Sequence, residues 1–181
     1  MESFLGLAKR RKITYEFSEK PVPETAIRKI LEAGRWAPSA HNAQPWRFIV
    51  VKNPETIRGI VRAAYYGNFH TLPSVAVLIS LTGEASGGKN HRGMVKGEIG
   101  NDEAMMTAAM PALMMILEAE DIGIGSCLLS LDEKKLGRML NLGSNRAPIA
   151  VGLGHDEKGS TSAGIMHRRK PLSELVKKER L

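Results

Sequence analysis

Ala37-Pro38-Ser39-Ala40-His41-Asn42-Ala43-Gln44-Pro45-Trp46-Arg47-Phe48-Ile49-Val50-Val51 runs from a polar, Pro-bounded loop straight into an apolar stretch. Ser39, His41, Asn42 and Gln44 fall between Pro38 and Pro45, with Trp46 directly after. The prolines restrict the backbone at both ends, so the side-chain donors and acceptors between them are held rather than scattered. A phosphate or the polar edge of a planar ring needs donors held in that way. An ordinary helix-to-strand connection has a similar composition, and the rest of the chain has to decide between the two readings.

Upstream, Ile27, Ile30, Leu31 and Gly34 recur at helical spacing, which predicts a helix over Glu24–Arg35 leading into the loop. Downstream, Arg47–Lys52 reads as a short buried strand, and Pro54 opens a helix to about Ala64. Ser74–Leu81 and Ala147–Leu153 are two more apolar runs of strand length, and Leu131–Leu140 reads as a short helix capped by Asp132. Glu98–Asp121 reads as one long helix, apolar nearly all round and therefore expected to be buried, with a kink at Pro111 if that residue lies in its interior. Its methionines suit core packing, because nothing pairs them with other soft metal ligands. Residues 83–97, rich in Gly, Ser and Lys, read as a mobile loop, and 154–164 as a polar connection. Strands separated by helices predict an α+β or α/β fold in a single domain over residues 1–181.

Three further segments carry chemistry. Lys9-Arg10-Arg11-Lys12-Ile13-Thr14-Tyr15-Glu16-Phe17 is a basic run turning aromatic, followed by Pro21-Val22-Pro23-Glu24. Such a run can be a solvated face, or it can hold phosphate, for which the planar fork of Arg is suited. Glu118–Leu129 passes from the long helix through Gly123 and Gly125. The first glycine suits a left-handed helix end and the second a close backbone approach to a ligand. His167-Arg168-Arg169-Lys170-Pro171-Leu172 is a second basic run, near the C-terminus.

In this order the four segments resemble the nitroreductase family over nearly the whole chain. The resemblance implies a mixed β-sheet flanked by helices, a long buried central helix and an intertwined homodimer. It implies FMN as cofactor, NADH or NADPH as electron donor, and a nitroaromatic, quinone or similar small molecule as acceptor, reduced by a ping-pong mechanism. Matched residue by residue, Arg11, Lys12 and Arg169 would hold the FMN phosphate. Pro38, Ser39, Ala40 and Asn42 would line the cofactor from the neighbouring subunit, and Gln44 would also bind it. Leu128 and Leu129 would present backbone near the ring, and Asn68 would touch its polar edge. Ile13 stands where the family often has a serine near the phosphate, so a contact there would come from backbone. Tyr15 stands where many members have a cation near the pyrimidine end; it can donate a hydrogen bond but brings no charge. No side chain stands out as a general acid or base.

Composition agrees with a soluble domain: 43% hydrophobic and 25% charged residues. The longest apolar run, Ala108–Leu117, is too short to span a bilayer, and the first residues lack signal-peptide character, so a cytoplasmic location is expected. The single cysteine, Cys127, has apolar neighbours and reads as buried and structural. The five histidines are scattered without metal-binding spacing, so no metal site is expected. The net charge of +7 admits nucleic-acid binding, but the cations cluster with few aromatics between them. Two alternatives therefore stand beside the flavin reductase: a specialised relative such as a reductive dehalogenase or flavin-destroying enzyme, and a colourless nucleic-acid-binding protein.

Overall fold

A computed structural model describes residues 3–39, 42–66, 69, 71–82, 101–143, 145–157 and 169–177, without side chains for 101–104. Its helices are α1 (Phe4–Arg10), α2 (Glu24–Arg35), α3 (Pro54–Ala63), α4 (Asn101–Asp121), α5 (Glu133–Gly137) and α6 (Leu172–Leu175). Its strands are β1 (Trp46–Val51), β2 (Val75–Leu81), β3 (Gly125–Ser130) and β4 (Arg146–Gly154), forming one sheet in the order β1-β2-β4-β3. All three pairings are antiparallel, whereas a mixed sheet would need a parallel neighbour that none of the described strands provides.

The central strands β2 and β4 are buried almost throughout, as their unbroken apolar runs lead one to expect. The same reasoning fails for β1. It is an edge strand, with Ile49 and Val50 exposed, because an apolar run marks surface to be covered without saying whether one neighbour covers it or two. Alternation divides the core in two. Val77, Ile79, Ile149, Val151 and Trp46 face α2 and α4, while Ala76, Leu78, Ala150, Cys127 and Leu129 face α3 and α5.

Local chemistry explains the element ends. Asn53 Oδ1 accepts from Thr56 N ahead of Pro54, and Asp132 Oδ1 accepts from Lys134 and Lys135 N, although α5 proves shorter than Leu131–Leu140. Gly123, at φ +74°, ends α4. Its amide donates to Glu120 O and that of Ile124 to Ala119 O, the paired closure of a Schellman motif. Two elements went unread in the sequence. One is α1, which Ser3 caps by accepting from Gly6 N; the other is β3, obscured by the glycines before it.

Helix α4 runs through Pro111 and is buried on one side only. Ala108, Ala112, Met115 and Ala119 face the core, whereas Met106, Met110 and Leu113 are exposed in the isolated chain. The all-round apolar pattern thus marks two surfaces, one of which the chain does not cover itself. The long loop expected at 83–97 lies outside the described residues, as do 98–100 ahead of α4 and 158–164 of the polar connection.

Candidate functional site

Beside β3, residues 14–17 are fastened to the sheet at several points. Thr14 N donates to Ser126 O at 2.9 Å, Phe17 bridges to Asp156, and Phe17 N donates to the Thr71 hydroxyl. Tyr15 lies against Phe69 with ring centroids 5.6 Å apart. The close approach depends on Gly125, where a Cβ would come within 2.6 Å of Thr14 Oγ1 and 3.0 Å of Gly154 O. The glycine expected to admit a ligand therefore admits the chain's own N-terminal segment.

At the other end of β3, Tyr65 N donates to Ser130 O at 2.9 Å, and Ala64 bridges to Leu131. The carbonyls of Ser126 and Ser130 are thus both taken on the outer edge. Alternation turns the amide and carbonyl of Leu128, midway between them, to that same edge, where no described residue pairs with the strand. Residues 126 and 130 are four steps apart, so the opening spans roughly 13 Å. Leu128 is also exposed by side chain, whereas Leu129 turns its backbone to Ala150 and its side chain into the core. Of the two leucines expected at a cofactor ring, only Leu128 is placed to meet one.

The basic run leads directly into this opening. Arg10 donates to the Glu120 carboxylate at 3.0 Å and to its carbonyl at 3.1 Å. Lys12 Nζ sits 2.7 Å from Asp156 Oδ2, and Lys12 N donates to Glu120 Oε2 at 3.3 Å. The ammonium expected on a phosphate thus already has a carboxylate partner. Arg11, half-buried between these two residues, makes no ion pair with a described residue. Ile13 packs on the α3/α5 side of the core, in keeping with the missing hydroxyl, and the buried Thr14 hydroxyl beside it has no hydrogen-bond partner among the described residues.

The loop at 37–45 lies at the opposite edge of the sheet, leading into β1. Gln44 N donates to Ser39 Oγ at 3.0 Å, Asn42 N to Ser39 O at 3.1 Å, and Gln44 Nε2 to Asn42 O at 3.2 Å. Asn42 and Gln44 both have positive φ, 56° and 48°, a conformation costly for glutamine that recurs at functional sites. Pro38, Asn42 and Gln44 are exposed and Ser39 partly so. Next to Gln44, a cleft of about 600 Å³ opens between α2 and β1, with Arg28, Glu32 and Arg35 on one wall and Arg47 and Phe48 on the other. Hydrogen bonds from Arg35 and then Trp36 lower the Glu32 pKa to about 2.

The expected site residues therefore form two groups. Arg11, Lys12, Ile13, Tyr15 and Leu128 gather at the β3 edge, while Pro38, Ser39, Asn42 and Gln44 gather at the β1 edge. Arg169 is exposed ahead of α6. Ala40 and Asn68 lie outside the described residues. Reading the sequence missed Glu120, Asp156 and Tyr65, which organise the β3 edge.

The model of the nitroreductase family matches residues 7–155. The chain belongs to the nitroreductase family. A protein named NADH dehydrogenase from Thermus thermophilus is 34% identical, with 93% of this chain and 91% of that protein covered. An iodotyrosine deiodinase from Thermotoga neapolitana is 27% identical over 76% of this chain and 72% of its own length. A putative nitroreductase in complex with FMN from Desulfovibrio desulfuricans matches at TM-score 0.78 and 24% identity, covering 100% of this chain and 99% of that one. This nitroreductase-family chain has no described helix long and apolar enough to cross a membrane.

Proposed function

We propose that this chain is an FMN-dependent oxidoreductase that takes hydride from NADH or NADPH and reduces a nitroaromatic, quinone or similar acceptor. The observation that carries the reading is the open edge of β3 at Leu128, bracketed by Thr14 and Tyr65, with Arg11 three residues ahead of Thr14 in the chain. A backbone donor and acceptor on a rigid strand fit the polar edge of a planar ring, and a guanidinium fits a phosphate. Bound FMN would supply hydride acceptance and electron transfer in alternating half-reactions. The protein's part is placement: Arg11 and Arg169 meet the phosphate, the Leu128 backbone orients the ring, and Tyr15 occupies its pyrimidine end without adding charge.

The second group of residues enters from another copy. In the order β1-β2-β4-β3 the loop at 37–45 and the edge at Leu128 are separated by three strand spacings, roughly 14 Å. A homodimer that buries Met106, Met110 and Leu113 of α4 covers the exposed apolar face and lets Pro38, Ser39, Asn42 and Gln44 of one chain reach the β3 edge of its partner.

An absorption spectrum with added FMN, before and after anaerobic NADH and then NADPH, tests the reading. Bound flavin that bleaches, and recovers its colour with a nitroaromatic or quinone, is the expected result. No flavin binding would contradict it and would favour salt-sensitive nucleic-acid binding. The deiodinase relative favours a second reading, reductive dehalogenation. Iodide release from an iodotyrosine, with no turnover of quinones or nitroaromatics, would establish that one instead.

A further inference from the structure

Three adjacent cations lead into the β3 edge, yet they are not equivalent. The backbone leaves α1 at Arg11 with φ −50° and ψ 128°, an extended step that separates neighbouring side chains. Arg10 and Lys12 meet acids on that account: Arg10 pairs with Glu120 at 3.0 Å and lies 3.8 Å from Asp121, and Lys12 pairs with Asp156 at 2.7 Å. The acids come from the end of α4 and from the segment after β4, so the pairing also ties the N-terminal segment to two distant elements. Both partners of the Lys12 pair are well covered, at 29% and 13% side-chain exposure, so water screens this pair less than one on the open surface.

Resting on the flavoprotein reading, we infer that Asp156 is a positioning residue that withholds Lys12 from the cofactor phosphate, leaving Arg11 as the cation of this run that meets it. The Lys12–Asp156 pair fixes the path of residues 12–15 and contributes no net charge to the phosphate. A dianionic phosphate must then find this run's share of its neutralisation at Arg11, and affinity for the phosphate is set below what Arg11 and an unpaired Lys12 would give together.

The ratio of affinities for FMN and riboflavin isolates the phosphate contribution, because the two ligands differ only there. It is measured by flavin fluorescence titration at several salt concentrations. Arg11→Met is expected to lower the ratio at least tenfold and to flatten its salt dependence, whereas Lys12→Met leaves the ratio within about twofold. Asp156→Asn frees the ammonium. It is expected to raise the ratio by about threefold with steeper salt dependence, and Lys12→Met in the Asp156→Asn background removes the gain. A purely structural pair would lower thermal stability in these variants without moving the ratio, and that result would overturn the assignment. So would a loss in Lys12→Met equal to that in Arg11→Met. If the unmodified chain binds neither FMN nor riboflavin, the flavoprotein reading falls, and this assignment with it. FMN binding with the wrong order of variants removes the assignment alone.

Discussion

Ser39, Asn42 and Gln44 are held by one another, whereas residues 10–17 are held by partners more than fifty positions away in the chain. In the first region one serine accepts two of the loop's own amides, through its hydroxyl and its carbonyl, and two residues sit at positive φ. In the second, Glu120, Ser126, Thr71 and Asp156 fasten a segment that makes few hydrogen bonds of its own. A locally closed loop keeps its shape wherever it is carried, which suits the role proposed for it, reaching toward another subunit. A segment fastened from afar exists only once the sheet has formed.

The largest effect is expected from breaking the distant fastening. Gly125→Val places side-chain atoms against Thr14 and Gly154 O, and should cost about 1–3 kcal/mol in chemical denaturation together with loss of flavin binding. Ser39→Ala removes one acceptor from the local loop and should cost about 0.5–1.5 kcal/mol, while residues 10–17 stay in place. Gln44→Gly sharpens the contrast. Relief of the left-handed strain and the greater entropy of unfolded glycine nearly cancel, so stability should change by less than about 1 kcal/mol while FMN affinity falls.

The effect that is smallest at neutral pH comes from β3 itself and emerges only in alkali. Burial pushes the Cys127 thiol from 9.0 up to about 12. Below pH 9 both folded and unfolded chains keep the proton. As pH rises from about 9 towards 12 the unfolded chain loses it first, so stability declines across that window. Cys127→Ser should blunt that decline, and the folded protein at pH 8 should resist a thiol reagent until denatured.

The same contrast accounts for what the sequence disclosed. The polar loop before β1, the helix start at Pro54, the Asp132 cap, the Gly123 helix end and the two central strands all rest on short-range patterns, and each was legible. The Lys12–Asp156 pair, the contact of Gly125 with Thr14 and the edge position of β1 depend on which elements become neighbours, and no local pattern carries that. Leu128 and Leu129 look alike in sequence; only the register with β4 turns one outward and the other inward. The apolar α4 was legible as packing surface, but not the division of its faces between the chain's own core and the face bearing Met110.

The composite site is the central claim, and it is tested most directly by Met110→Asp. Met110 is exposed in the isolated chain, so the substitution should leave the fold intact by circular dichroism. Sedimentation and FMN titration of the same sample then read assembly and cofactor binding together. A folded monomer whose FMN affinity has dropped at least about tenfold is expected, because the loop at 37–45 no longer reaches the Leu128 edge of a partner. A folded monomer that binds FMN as tightly as the unmodified protein would contradict the claim.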